Sequence, residues 1–417
     1  MRVARLKLAN FRAIGAAEFR FQPGFNLIVG VNGVGKTSGL DALSVCLSAI
    51  VKHSNRLRMS ADTFTVDDIR IGTDVLTVEC GVTIGSTEHS YLIHKPRETS
   101  AAQEKKTGMP REQVHDTPER AAFVGAQPAP TNGKESEGRP LAVLFSTSRA
   151  VPSERAPSKG VASGGIAAAF ADALMSRELR LGEVAAWMRV QEALKGENAA
   201  AGRVLAAFES AVKRFLPGYA NLRADADARP RLLIDRGPTT VAVRQLSDGE
   251  RGTLALVLDL TRRLSQANPA MTDPAAQAEA VVLIDEIDLH LHPKWQRQIV
   301  RNLVAAFPRC QFIATTHSPQ VIGEVEHDRI QIIANGQVYS PQHSFGMDSS
   351  QVLEEIMDAD PRTQEIMELL ARISAEVGQQ QFDTARKSLA TLVGRLGEDD
   401  PEVTRLRTLL DFVEGKE

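Results

Sequence analysis

One stretch limits what this chain can fold into more than any other: Gly30-Val31-Asn32-Gly33-Val34-Gly35-Lys36-Thr37, a complete G-x-x-x-x-G-K-[ST] pattern. It follows the apolar run Leu27-Ile28-Val29 and precedes Leu40, Leu43, Leu47, Ile50 and Val51, which recur at helical spacing. Strand, loop and helix in that order is the setting in which such a loop binds phosphate. The glycines let successive backbone N–H groups turn toward the α- and β-phosphates, Lys36 reaches the β- and γ-phosphates, and the Thr37 hydroxyl can ligate Mg²⁺. The helix adds the dipole of its N-terminus. A nucleoside triphosphate site is therefore expected at Asn32, Gly33, Val34, Gly35, Lys36 and Thr37.

Opposite a phosphate cradle this chemistry calls for carboxylates. Val281-Val282-Leu283-Ile284 has the pattern of a buried strand and ends in Asp285-Glu286. At a strand tip beside a phosphate loop, Asp285 suits the outer sphere of Mg²⁺. Glu286 suits the poising of water as a general base, a role worth roughly 10²–10⁴-fold in rate. Gln311 to Thr315 is one more buried-strand pattern, followed by Thr316-His317-Ser318-Pro319, and His317 at that tip reads as a γ-phosphate sensor. In Leu246-Ser247-Asp248-Gly249-Glu250, Ser247 and Glu250 have capping-box spacing ahead of Leu254, Val257 and Leu258. Such a helix N-terminus can be only a cap, or it can also receive an anion. His290 and His292 form an H-x-H without a third ligand nearby, a weak basis for a metal, and Pro293 then opens a helix with Trp295, Ile299 and Leu303 on one face.

The rest of the chain frames these stretches. At 417 residues, with 43% hydrophobic and 24% charged, it can form two or three soluble domains. Its apolar runs, such as Ala280 to Ile284, are strand-sized and far short of the ~20 residues that span a bilayer, and Met1 to Lys7 leads into no signal-peptide core. Cys46, Cys80 and Cys310 are scattered through apolar patterns, which suits buried reduced thiols and a cytoplasmic location. The net charge of −3 supplies no global field for nucleic acid, and the basic cluster Lys52, His53, Arg56 and Arg58 reads first as a solvated helix end. Val3 to Phe21 alternates like a hairpin, and Val75 to Ile84 and Ser90 to Ile93 extend an antiparallel lobe. Three helical patterns follow between Ile166 and Phe215. The last seventy residues carry three apolar stripes, Ile366-Leu369-Ile373-Val377, Phe382-Ala385-Leu389-Leu392-Leu396 and Val403-Leu406-Leu410-Val413, joined at Gly378 and Gly397.

The phosphate loop, Leu246 to Glu250, Asp285-Glu286, Asp288 and His317 stand in the order of the Walker A, signature, Walker B, D-loop and H-loop motifs, and in this the chain resembles an ABC-type ATPase. Asn10-Phe11-Arg12, the signature LSDGE and the run DEIDLHLHPKWQ are similar to the SMC, RecF and OLD-like stand-alone ATPases rather than to transporter subunits. With His343-Ser344-Phe345-Gly346-Met347-Asp348-Ser349-Ser350 and the helical tail, the chain resembles most the PtuA-like ATPases of Septu and retron anti-phage systems, which are paired with an HNH-nuclease protein. The resemblance implies ATP and Mg²⁺ as ligands, with metal contacts through Thr37 and Asp285. It also implies further nucleotide contacts from Arg12, Ser247 and Gly249, and catalysis by Glu286, Asp285 and His317. No glutamine fills the Q-loop place, where Ser148-Arg149 stands instead. No spaced nuclease carboxylates follow His317, so ATP hydrolysis is expected and DNA cleavage by this chain is not.

The expected fold is α/β: an ABC-type P-loop head, with a mixed sheet and an antiparallel lobe, an inserted helical subdomain and an all-helical tail. Its parts are 1–94 head, 95–140 mobile polar insertion, 141–165 head strand and loop, 166–224 helical subdomain, 225–345 head, and 346–417 assembly tail. The resemblance implies a homodimer with ATP between the heads, a possible higher oligomer, an HNH partner, nucleic acid reached through the complex and no membrane. A RecF-like ATPase that grips DNA itself is the alternative, and a transporter motor or a nucleotide-bound scaffold without turnover are more distant ones.

Overall fold

A computed structural model describes residues 1–31, 33–55, 62–97, 119–125, 127–128, 138–150, 152–153, 165–227 and 229–415. It divides into two compact units, Met1–Asp348 and Ser349–Glu417. Asn32, Arg56, Arg58 and most of the expected polar insertion lie outside the described residues.

The first unit is built on a six-stranded sheet. Four of its strands, β3 (Phe25–Val29), β7 (Leu141–Phe145), β11 (Ala280–Ile284) and β12 (Gln311–Thr315), are buried at every position. Short, largely apolar runs buried at every position, without alternation, are what a parallel sheet covered on both faces requires. With β13 (Ile330–Ala334) and β14 (Gln337–Tyr339) the order is β14-β13-β3-β12-β11-β7. All neighbours are parallel except the terminal β13–β14 hairpin. Helix α1 (Lys36–Asn55) follows β3 directly and packs on β7, β11 and β12.

A second, antiparallel sheet has the order β2-β1-β4-β5-β6, from β1 (Arg2–Phe11), β2 (Ile14–Arg20), β4 (Val75–Ile84), β5 (Thr87–Pro96) and β6 (Arg120–Val124). Buried amides join it to the main sheet. Gln311 of β12 accepts from the Val3 backbone N–H at 2.7 Å and donates to the carbonyls of Val3 and Gln22 at 2.8 and 2.9 Å. Strand β6 lies inside the stretch 95–140 expected to lack regular structure. Its five residues bury only Phe123, against the Tyr91 ring at 5.0 Å, so it carries too little pattern to register as a strand.

Three helices, α2 (Gly165–Phe170), α3 (Leu181–Leu194) and α4 (Ala199–Phe215), pack on the long helix α5 (Asp248–Ala267) within the same unit. Residues 219–224, read above as the end of the helical segment, instead form β8 (Tyr219–Ala224). It pairs with β9 (Leu232–Arg236), which pairs with β10 (Thr239–Ala242), in a third small sheet. The lower half of α5 carries a buried charge network. Asp259 meets Arg262 at 2.5 Å, Arg263 at 2.7 Å and Arg177 at 3.4 Å, and Glu183 of α3 pairs with Arg180 at 3.0 Å and Arg262 at 3.8 Å. Burial works to raise the Asp259 pKa, but the charges of Arg263, Arg262 and Arg177 outweigh it and hold the carboxyl well below its usual range. Cys46, Cys80 and Cys310 are free and buried.

The second unit holds α7 (Gln364–Gly378), α8 (Phe382–Leu396) and α9 (Pro401–Glu414); helix α6 (Pro293–Ala306) belongs to the first. The three apolar stripes meet in one core of Ile366, Ile373, Val377, Ala385, Leu389, Leu392, Val403, Leu406 and Leu410. Asp400 caps α9 by accepting from the Glu402 N–H at 2.9 Å, and Pro401 occupies the first helical position. Leu406→Ala, in a fully buried site, is expected to cost this unit about 2–5 kcal/mol. Hydrogen exchange should then show lost protection across residues 364–414 with the strands of residues 1–348 unchanged. Equal loss in both units would contradict a separate core.

Candidate functional site

Parallel strands side by side bring their C-terminal ends to one edge, and the candidate residues sit there. After β3 the chain turns at Gly30, where a side chain would meet the Ile333 carbonyl oxygen at 2.6 Å, and passes Gly33 at φ +83°. Lys36 opens α1 and folds back over the loop, its Nζ donating to the carbonyls of Gly30 at 2.7 Å and Val31 at 3.0 Å. It is only 7% exposed. Burial lowers its pKa, while Glu286, Asp285 and Asp288 act in the opposite sense. Val34 is half-buried in the same loop, whereas Asn32 is outside the described residues.

Asp285 follows β11 and is buried. Its carboxylate accepts from Thr37 Oγ1 at 3.2 Å and from Thr315 Oγ1, at the end of β12, at 2.6 Å. A threonine hydroxyl facing a carboxylate offers hard oxygen donors to Mg²⁺, which commonly takes one or two protein ligands and completes its shell with water and phosphate oxygens. The residues present fit that ion. Glu286, half-buried, has a left-handed backbone at φ +48°. Its N–H donates to Thr315 Oγ1 at 2.7 Å, and its carbonyl accepts from Arg149 Nη2 at 2.6 Å. One threonine hydroxyl thus ties the aspartate side chain to the glutamate backbone. Asp288 accepts from Thr316 Oγ1 at 2.5 Å. Half-buried His317 has a pKa lowered by burial and then by the charge of Lys36, against the opposing pull of Asp288, Glu286 and Asp285. The structure therefore brings Lys36, Thr37, Asp285, Glu286 and His317 together at one edge.

Arg12, at φ +50°, lies beside α1. Its guanidinium pairs with Asp41 at 2.5 Å and Asp68 at 2.9 Å and stands 3.5 Å from Ser38 Oγ. Burial works against the charge, but these hydrogen bonds outweigh it and raise the pKa. Any contact it makes to a nucleotide competes with two carboxylates. His292, one half of the H-x-H pair, uses its Nδ1 to accept from the Lys294 N–H at 3.3 Å as the cap of α6. Among the described residues no group of three or more His, Cys, Asp or Glu could hold a metal ion.

Ser247 caps α5 in a closed capping box. Its Oγ donates to Glu250 Oε2 at 2.7 Å and accepts from the Glu250 N–H at 3.4 Å, and its N–H donates to the same carboxylate at 3.0 Å. Tyr219 Oη donates to Glu250 Oε1 at 3.0 Å, and Arg236 lies over the Tyr219 ring at 5.5 Å. Among the described residues none of the Ser247 hydrogen bonds runs to the phosphate loop or to Asp285 and Glu286. Gly249 has a steric role of its own, because a side chain there would stand 2.4 Å from the His290 carbonyl oxygen. Two residues of the site had no role assigned from the sequence: Thr315 ends an apolar strand pattern that gives it no chemistry, and Arg149, noted only as standing where a Q-loop glutamine would, binds the carbonyls that follow β11.

Two family models of AAA domains match the chain, one over residues 5–124 and one, described by the AbiEii toxin of a type IV TA system, over residues 191–323. Both stretches of the chain are thus similar to AAA-domain ATPases. Retron Ec83 probable ATPase of Escherichia coli is 37% identical over 223 residues, 52% of this chain and 41% of that protein. Septu protein PtuA of Bacillus mycoides is 46% identical over 77 residues, 18% of this chain and 10% of that protein. The chain thus matches less than half the length of these relatives. Its fold is that of SMC heads: the SmcHead in its complex with the C-winged helix domain of ScpA aligns at a TM-score of 0.50 and 15% identity, covering 82% of this chain and 97% of that one. No helix of the described residues is long and apolar enough to cross a membrane.

The two glycines of the α5 start differ in surroundings, since at Gly252 the nearest atom to a side chain is the Arg149 carbonyl oxygen at an ordinary 3.9 Å. Gly249→Ala should destabilise the fold by about 1–3 kcal/mol through overpacking, and Gly252→Ala should stabilise it by up to about 1 kcal/mol through helix propensity. Thermal unfolding of both variants checks this, and the same sign for both would contradict the close approach at Gly249.

Proposed function

We propose that this protein binds ATP with Mg²⁺ and hydrolyses it slowly, as a dimer that regulates a separate nuclease in a cytoplasmic anti-phage complex. The observation that carries the hydrolytic part is the chain of contacts Thr37–Asp285–Thr315–Glu286. It places one carboxylate against the loop threonine and holds the next on the same strand end. In this reading the loop glycines and Lys36 receive the phosphates, Thr37 and Asp285 hold the ion and His317 stands by the γ-phosphate. Mg²⁺, when bound, neutralises charge on the transferring group. Glu286 takes the proton of the attacking water. Asn32, Gly33, Val34 and Gly35 complete the cradle, with Arg12 beside it.

Lys36→Ala should abolish nucleotide binding, whereas Glu286→Gln should bind Mg·ATP normally and lose about 10²–10⁴-fold in turnover. Equilibrium binding and steady-state hydrolysis separate the two, and parallel loss of affinity in both variants would contradict the assigned roles.

The dimer rests on the α5 start. Ser247 and Gly249 form a capped helix end whose hydrogen bonds stay local, and in the two-headed arrangement that end faces the γ-phosphate held by the other copy. Each composite site then needs Lys36, Thr37, Asp285, Glu286 and His317 from one chain and Ser247 and Gly249 from its partner. Mixing Lys36→Ala with Ser247→Arg should restore part of the hydrolysis that each lacks alone, because one of the two sites in the heterodimer is intact. No recovery among demonstrated heterodimers rules out the shared site. The relatives named for Septu and retron systems support the defence role, with an HNH-type nuclease as the regulated partner and nucleic acid reached through it. The separate core of residues 349–417 suits the tail to assembly or to docking that partner.

A further inference from the structure

Arg149 is the feature of the site that no role above absorbs. It lies in the 3₁₀ turn Thr147–Ala150 after β7 and is 5% exposed, and among the described residues it makes no ion pair with a carboxylate side chain. Its donors go to backbone carbonyls. Nη1 donates to Asp285 O and, at 3.1 Å, to Ser146 O, while Nη2 donates to Glu286 O at 2.6 Å. Burial lowers its pKa to about 10, with Asp285, Asp288 and Glu286 opposing the shift, so it stays charged at neutral pH.

Two successive carbonyls on one guanidinium are unusual, because in an extended chain neighbouring carbonyls point to opposite sides of the strand. They share a donor here because Glu286 turns out of the strand into the left-handed region at φ +48°. A non-glycine residue held there costs on the order of 1–3 kcal/mol and persists only where its surroundings impose it. Four contacts impose it: Thr315 Oγ1 accepts from the Glu286 N–H, Arg149 and the Leu289 N–H both donate to the Glu286 carbonyl, and the Ile287 N–H donates to the Thr315 carbonyl; of these only Arg149 ties the turn to the end of β7. The Asp285 N–H, donating to the Phe145 carbonyl at 2.9 Å, completes the attachment to the end of β7.

We propose that Arg149 is the positioning residue of the hydrolytic site. Its planar fork, bound to the carbonyls of Asp285 and Glu286, fixes the backbone turn that aims the Glu286 carboxylate. In this role Arg149 acts through Glu286, so this inference rests on the hydrolytic reading above. A lysine cannot replace it, since a single ammonium lacks the rigid fork that meets two acceptors at once.

The test compares the wild type, Arg149→Ala, Arg149→Lys and Glu286→Gln in Mg·ATP binding and steady-state hydrolysis. Arg149→Ala should lose about 10²-fold in kcat, the scale of an ångström-sized misplacement. Its Mg·ATP affinity should stay within about threefold of wild type, because the phosphate cradle is untouched and the Asp285 carboxylate keeps its contacts with Thr37 and Thr315. Millimolar guanidinium ion should restore part of the turnover of Arg149→Ala and none of that of Glu286→Gln. If Arg149→Ala does not fold, Arg149→Lys is read instead and should show the same fall in kcat at unchanged affinity. Wild-type kcat in the folded variant, or equal losses in kcat and affinity, overturns the positioning role while leaving hydrolysis standing. A wild-type protein that binds Mg·ATP without turning it over overturns the hydrolytic reading and this inference with it.

Discussion

The structure depends on the parallel alignment of four buried strands. Because β3, β12, β11 and β7 are adjacent and run the same way, the residues that follow each of them arrive at one edge of the sheet. The phosphate loop follows β3, Thr315 and His317 mark the end of β12, Asp285 and Glu286 follow β11, and Arg149 stands in the turn after β7. Lys36 and His317, 281 positions apart in the sequence, thereby meet at one edge. A fully buried strand cannot slip by one residue without carrying apolar side chains into the wrong layer, so the register that buries the core also sets the site.

Much of this was legible because it rests on local pattern. The phosphate loop declares itself through glycine spacing and the strand and helix on either side. Asp285 and Glu286 end an unbroken apolar run, the Ser247–Glu250 capping box is a three-residue relation, and the tail stripes have the period of a helix. What remained hidden depends on contacts between distant segments. Nothing near Arg149 in sequence points to the carbonyls of Asp285 and Glu286. The need for glycine at 249 comes from the His290 backbone, forty-one positions later, which no local rule anticipates. Short strands escaped for a different reason: β6 buries a single phenylalanine, and the hydrogen bonds to β5 that define it belong to the pairing rather than to its residues.

Polar contacts inside the site are mostly backbone-directed. Lys36, Arg149 and Thr315 each bond to main-chain groups, so the loop and the strand ends are held in shape by the same side chains that line them. Such preorganisation removes part of the ordering cost that a ligand would otherwise meet. The same side chains that give the site its charge therefore also give it stiffness, and substitutions there change both together.

Helix α5 runs for 20 residues, roughly 30 Å, from the Ser247 cap to Ala267, with the charge network around Asp259 in its second half. There Asp259 of α5 and Glu183 of α3 are shared among Arg177, Arg180, Arg262 and Arg263. Pulling any one of these groups away would strand a charge out of contact with water. Buried pairing of this kind fastens the second half of α5 to α3, so the Ser247 cap stands on a helix whose anchorage lies well away from the nucleotide edge.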